Sequence, residues 1–360
     1  MSSSSSGADT KTSQSSRKRP RTEPDSVDDA NESFRRDETY WYDDGNIIFV
    51  AQNVGFRVYK GILAAKCEVF RNMFSLPQPA QDSGPGGSRD TVLYGCPVVH
   101  VTDTAGEFRM LLDSLLNGME IIRGGGCRFD DVANAVRVAH KYDVRQLYAD
   151  SMKRLQECYP TKLNDWDDLG SFSPLRFGST DDEDEVDARG TQAIVAVTLA
   201  RLTETHSLLP AALYECCQLD SRVLIKGRIR PDGTAITLSP EDLAQCIDAK
   251  ANLCSRVSEV DYQLFDITPS AASAASHPRC DDIFKQVCDR AFVEVNGARG
   301  RCDVLRRRKS MITQLVHDMG LCRLCLMLLR GRSARLRGES WGLLPKLVGV
   351  DDLPNWGEGH

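Results

Sequence analysis

The sequence predicts an α+β fold: an N-terminal unit with a small sheet and clustered helices, then a mainly helical C-terminal domain. Three observations predict it. Apolar β-forming runs, Ile47–Val50, "GFRVYKG" and Val98–Val101, all fall in the first third of the chain. Around them, apolar residues recur three and four positions apart, as one face of a helix requires. An acidic run, Asp181–Asp187, then separates this region from a second stretch of helical periodicity.

Residues 1–39 are rich in Ser, Asp, Arg and Glu and poor in large apolar side chains. Such a segment cannot bury enough surface to offset the entropy of ordering, so it is predicted to be a disordered arm. Within it, Arg17, Lys18, Arg19 and Arg21 form a compact basic cluster. It suits a nuclear-import receptor, and equally a solvated charge run. Order is predicted from residue 40. Ile47–Val50 and the strand in "GFRVYKG" make a hairpin, with Asn53 and Gly55 in its turn. One helix is predicted over 59–74, with Leu63, Cys67, Phe70 and Phe74 on its buried face, ending before Pro77. After the strand 98–101, Thr104 and Glu107 have capping-box spacing. Phe108, Leu111, Leu112 and Leu115 follow as a buried face, and Gly118 is the stop. A helical pair closes the unit. Val132, Ala135, Val138 and Ala139 point inward from the first helix, with His140 beside them as a structural histidine. Leu147, Met152 and Leu155 point inward from the second, and Pro160 ends it. The predicted organisation is an arm over 1–39, a first domain over 40–160, an acidic linker over 161–190, a helical domain over 191–350 and a tail over 351–360.

Composition narrows the function classes. A net charge of −6 makes the whole chain a poor electrostatic partner for nucleic acid, so any such role needs a local patch. The polar start "MSSSSSGADTKTSQSS" has no apolar core of the kind a secretory signal needs. No run approaches the roughly eighteen apolar residues that span a bilayer. The expected location is intracellular, with the nucleus favoured over the cytoplasm by the basic cluster, and no membrane partner is expected. Thirteen cysteines in a reducing compartment read as free thiols or metal ligands. No phosphate-binding G-x-x-x-x-G-K-[ST] loop, nucleophile elbow or H-E-x-x-H motif occurs, and the six histidines are scattered. The chain is expected not to be an enzyme.

The stretches "DDGNIIFVAQNVGFRVYKGILAAKCEVFRNMF", "VVHVTDTAGEFRMLLDSLLNG" and "FDDVANAVRVAHKYDVRQLYADSMKRL" resemble, in order and spacing, a BTB/POZ domain of the type common in mushroom-forming fungi. The resemblance implies a non-catalytic module that dimerises or docks other proteins through helix faces and sheet edges. It implies a partner or dimer interface near Asn46, Tyr59 and Lys60. Tyr59 stands where the family usually has His before this Lys, and Asn46 where the transcription-factor members have a buried Asp. Lys60 keeps the basic position. The loop after the long helix offers Leu76 and Gln78 but lacks the carboxylate that cullin-ligase adaptors carry there. That family role, a ubiquitin-ligase substrate adaptor, is the alternative expectation.

In the second half, Ser239 is a cap with Pro240 at the first helical position and Glu241 and Asp242 behind it. "LPAALYECC", "LSPEDL" and "LCRLC" followed by "ESWGLLP" resemble stretches of the same fungal proteins. Cys216 and Cys217 read as core thiols, of which at most one can face a given surface. Cys322 and Cys325 form a C-x-x-C pair that suits one Zn²⁺, with Cys280 and Cys288 as the further ligands and His277 or Cys302 in reserve. The apolar surroundings of the pair fit a plain buried helix as well. Arg306, Arg307, Arg308 and Lys309 could contact phosphates, so a zinc-stabilised, nucleic-acid-binding tail is a third expectation. No aromatic residues interleave with them to stack bases.

Overall fold

The computed structural model describes residues 34–76, 92–118, 122, 127–169, 185–230, 233–265, 280, 282–286, 302–351 and 353–357. The fold is mixed α+β, with a curled five-stranded sheet at the N-terminal end followed by helices. The strands are β1 (Arg35–Trp41), β2 (Ile47–Ala51), β3 (Val54–Val58), β4 (Val92–Leu93) and β5 (Cys96–Val101). Their order across the sheet is β1-β3-β2-β5-β4.

β2 sits at the centre because "IIFVA" is apolar on both faces, and all five of its residues are buried. It pairs antiparallel with β3 and parallel with β5. The tight connection to β3 runs through Gln52 and Asn53, with Gln52 at φ 53°. Gly55 is therefore not a turn residue. It lies in β3, where the Phe34 ring packs so close that a Cβ would come within 2.2 Å of it. Phe34 is buried and β1 begins at Arg35, so residues 34–39 of the segment expected to be a disordered arm belong to the sheet and its packing. β1 was not visible in the sequence because its "RRDETYW" is mostly polar. Asp37 supports it: its carboxylate accepts from the backbone N–H groups of Thr39 and Tyr40 at 3.0 and 2.9 Å, where the register with β3 slips. Arg109 Nε donates to the other oxygen at 3.0 Å.

The helix predicted over 59–74 is two helices, α1 (Lys60–Lys66) and α2 (Glu68–Ser75). Cys67 breaks it with an extended backbone, φ −137° and ψ 123°, and its thiol donates to the Tyr142 carbonyl at 3.3 Å. Leu63, Cys67 and Phe70 are buried, and Phe70 meets Phe49 of the sheet at 5.4 Å between ring centres. Phe74 is half-buried beside Phe70. α3 (Ala105–Leu116) carries both bonds of the capping box, at 3.2 and 2.9 Å. α4 (Phe129–Lys141) and α5 (Arg145–Cys158) form the helical pair, with the inward residues named above all buried. His140 differs: it is exposed, with only an aromatic contact to Tyr148 at 6.3 Å. The apolar stripe of α4 stops one residue before it.

The second half contains α6 (Leu163–Leu169), α7 (Glu185–Leu202), α8 (Leu209–Gln218), α9 (Ser221–Lys226), α10 (Pro240–Phe265), α11 (Lys309–Met319), α12 (Arg323–Gly342) and α13 (Leu344–Leu347). A short hairpin, β6 (Arg228–Ile229) and β7 (Ala235–Ile236), was not anticipated. One hydrophobic cluster runs from Tyr40 to Val350. The expected linker and tail both join it: Leu163 is buried, and Trp166 and Trp356 flank the buried Trp341.

The two halves are tied by charge as well. Arg228 Nη2 donates to both oxygens of Asp130 at 3.0 Å, and Arg230 Nη2 to Glu107 Oε1 at 3.0 Å. Burial opposes the charge on Glu107. The Thr104 N–H and the guanidinium groups of Arg230 and Arg137 outweigh burial and hold its carboxyl below the usual glutamate range. A depressed folded value contributes stability above the ordinary glutamate value, and that contribution disappears as pH falls through the folded value. Glu107→Gln is expected to cost about 3 kcal/mol at neutral pH. The gap to the parent chain should narrow on acidification below about pH 4.3, checked by urea unfolding at stepped pH.

Candidate metal centre

Three cysteines converge near the start of α12. Cys322 is the N-cap of that helix, with an extended backbone at φ −72° and ψ 159°. Its sulfur accepts the Cys325 backbone N–H at 3.5 Å. The i, i+3 spacing then places the Cys325 sulfur on the same side of the first turn. Cys280 reaches them from the other segment, held by its own burial and by buried Ile283 and Phe284 just beyond it. The three sulfurs lie within 4.8 Å of one another. Thiolates around Zn²⁺ at about 2.3 Å stand about 3.8 Å apart, so the cluster needs only a small contraction to close on an ion. Three soft donors at this spacing can hold a metal ion.

The electrostatics fit a site that is protonated until a cation arrives. Burial first, then the neighbouring Cys322 and Cys280 thiols, push Cys325 up to about 12. A divalent ion at the centre reverses that balance and expels the protons. The helix N-terminus and the N–H bonded to Cys322 favour the resulting negative charge.

Of the predicted ligands, Cys280, Cys322 and Cys325 come together; Cys288 and His277 lie outside the described residues. Cys302 does not belong. Its sulfur sits 3.4 Å from Cys254 of α10 and faces the Lys250 carbonyl at 3.7 Å. Cys216 and Cys217 are both buried and both act on Cys246, whose carbonyl accepts the Cys217 thiol at 3.6 Å. Adjacent residues can share a surface when a third side chain lies between their directions, which sequence spacing does not reveal. The two donors lower Cys246 to about 4 and raise Cys217.

The residues expected at a partner interface are occupied locally. The Asn46 side chain accepts the Lys60 backbone N–H at 2.8 Å and so caps α1. Tyr59 stacks on Tyr42 at 5.1 Å and donates to Asp44. Lys60 Nζ lies 4.9 Å from the centre of the Phe74 ring. In the basic stretch, Arg308 is buried on Asp261 at 2.7 Å and Arg307 pairs with Asp167 at 3.1 Å, leaving Arg306 and Lys309 as the exposed pair outside those bridges. Arg17, Lys18, Arg19 and Arg21 lie outside the described residues.

Family models, curated proteins and solved structures give no match to this chain. Among the described residues, no helix is long and apolar enough to cross a membrane.

The sequence offered no sign of the Asp37–Arg109 pair or of Glu107 bridging Arg137 and Arg230. Glu107 and Arg230 are 123 positions apart, and each reads alone as an ordinary helix cap or a surface charge.

Proposed function

We propose that the chain is a protein-docking module of the BTB/POZ type that pairs with a second copy through its N-terminal unit. The observation that carries this is three exposed aliphatic side chains on α1 and α2 and just beyond them. Ile62, Val69 and Leu76 are 40%, 37% and 65% exposed. Lys66, Glu68 and Arg71 of the same two helices are exposed as well. A patch with apolar side chains and both charge signs can complement a two-fold copy of itself. The unit beneath supports the same interpretation: a hairpin, a helical pair, a strand parallel to the first, a helix and a second helical pair.

The test uses the full-length chain, because the core and the Glu107–Arg230 pair join both halves. Light scattering on the eluting protein is expected to give twice the 39.9 kDa chain mass. Ile62→Glu combined with Val69→Glu should restore the single-chain mass without lowering the unfolding temperature. A single-chain mass for the parent protein at the highest attainable concentration would end the proposal.

A structural zinc ion on Cys280, Cys322 and Cys325 belongs to the same proposal. It would fasten α12 to the segment around Cys280, giving the docking unit a rigid helical support. The basic cluster at Arg17–Arg21 would direct the chain to the nucleus. Among the alternatives, a ubiquitin-ligase adaptor retains exposed Leu76 but no carboxylate two residues on. A nucleic-acid-binding tail retains Arg306 and Lys309 of the four basic residues.

A further inference from the structure

A cleft of about 690 Å³ lies where the two halves meet. α3 and α4 form one wall, and α7 with the β6–β7 hairpin forms the other. Inside it, two guanidinium groups share one carboxylate. Arg230 donates to Glu107 Oε1 at 3.0 Å, and Arg137 lies 3.6 Å from the same oxygen. All three side chains are largely buried, at 14%, 19% and 10% exposure. Among the described residues, Arg137 has no closer acceptor than that shared oxygen. The trio by itself carries a net charge of +1 in a largely buried place, with Asp130 as a more distant counter-charge to Arg137, so an anion seated on the two guanidinium groups would be favoured.

The carboxylates lining the same cleft make their hydrogen bonds to other groups than Arg137. Asp113 accepts from Tyr40 and Asn117, Asp130 from Arg228, and Asp131 from the Arg128 backbone. Val54, Met110, Val195 and Ile236 give the lining an apolar component. Volume, a convergent pair of fork-shaped donors and some apolar lining together match the general form of a small-molecule site.

We propose that this cleft binds a phosphate-bearing small molecule, its phosphate seated on Arg137 and Arg230 and its remainder against the apolar lining residues. Phosphate oxygens accept the two guanidinium forks from separate directions, and Glu107 keeps Arg230 aimed inward. Burial and the nearby Arg230 draw Arg137 down to about 10, so it stays charged at neutral pH and gains from an incoming anion. Because the two walls come from different halves, the ligand would also fasten the docking unit to the helical half. This inference does not depend on self-association.

The experiment measures thermal unfolding and titration calorimetry of the full-length chain with inorganic phosphate and pyrophosphate, against chloride at matched ionic strength. Both anions are expected to raise the unfolding temperature beyond chloride. Arg137→Gln should weaken binding about ten-fold or more while leaving the Arg230–Glu107 bond in place. Arg230→Gln should weaken it similarly; if that variant fails to fold, Arg137→Gln carries the test. No shift beyond chloride, or an equal shift in Arg137→Gln, overturns the proposal and leaves the trio as an internal ion pair.

Discussion

Cys325→Ser in the full-length chain is expected to abolish one equivalent of bound zinc and to lower stability by about 4 kcal/mol, the contribution of an ion present at about a thousand-fold over its dissociation constant. The loss follows from geometry. Cys322 and Cys325 flank the first turn of α12 and Cys280 comes from a different segment, so an ion held by all three would act as a cross-link between them. A serine oxygen keeps the turn but is a poor ligand for a soft thiolate site. Three protons must leave for the ion to bind, so affinity should fall steeply on acidification. Elemental analysis and chelator-induced unfolding measure both effects. Cys302→Ser is the control: its sulfur lies beside Cys254, so zinc should be retained. A parent chain purified without metal and unmoved by added zinc would refute the site.

Trp341→Ala is expected to cost about 4 kcal/mol, among the largest effects of any single truncation in this chain. Trp341 is fully buried, with Trp166 at 5.5 Å and Trp356 at 5.0 Å between ring centres. Its indole N–H donates to the Thr161 carbonyl at 3.0 Å, which also accepts the Gly357 N–H at 3.1 Å. Its own carbonyl receives the Trp356 indole N–H at 2.7 Å. Truncation opens a cavity and also removes the aromatic and hydrogen-bond contacts that Trp341 makes to both segments, although 161–169 keeps its Asp167 ion pairs with Arg307 and Arg337. Denaturant unfolding should show the lost stability, and limited proteolysis should show new cleavage near 161–169 and 353–357. Trp341→Phe should be milder, since the ring stack survives and only the donor is lost. A change below about 1 kcal/mol for the alanine variant would contradict this account.

Much of the first half was legible because its signals are local. The capping box needs only Thr104 and Glu107, three residues apart, and it formed. The apolar faces of α3, α4 and α5 follow from a period of 3.6, and the named residues are buried. The break at Cys67 was not legible. "YKGILAAKCEVFRNMF" is continuous in helical period, and the kink answers to Tyr142, which is 75 positions away. β1 escaped for a related reason. Its backbone is stabilised by a parallel partner and by the Asp37 side chain, while its own residues are mostly polar.

The metal cluster divides in the same way. C-x-x-C spacing alone places Cys322 and Cys325 on one side of a helix start. The third sulfur, Cys280, was named from sequence together with Cys288, ahead of Cys302; packing brings Cys280 to the pair and sets Cys302 beside Cys254. Periodicity, caps, compositional breaks and the C-x-x-C pair are properties of neighbouring residues, so the sequence by itself determined the α+β class, most helix faces and two of the three thiols in the cluster. The tertiary structure alone decided that residues 35–41 form a strand, that Leu163, Trp166 and Trp356 join the core, that Asn46 caps a helix, and that Arg137 and Arg230 converge on Glu107. Each of these depends on residues far apart in the chain, whose approach is set by the packing of the whole core and leaves no periodic trace in either segment.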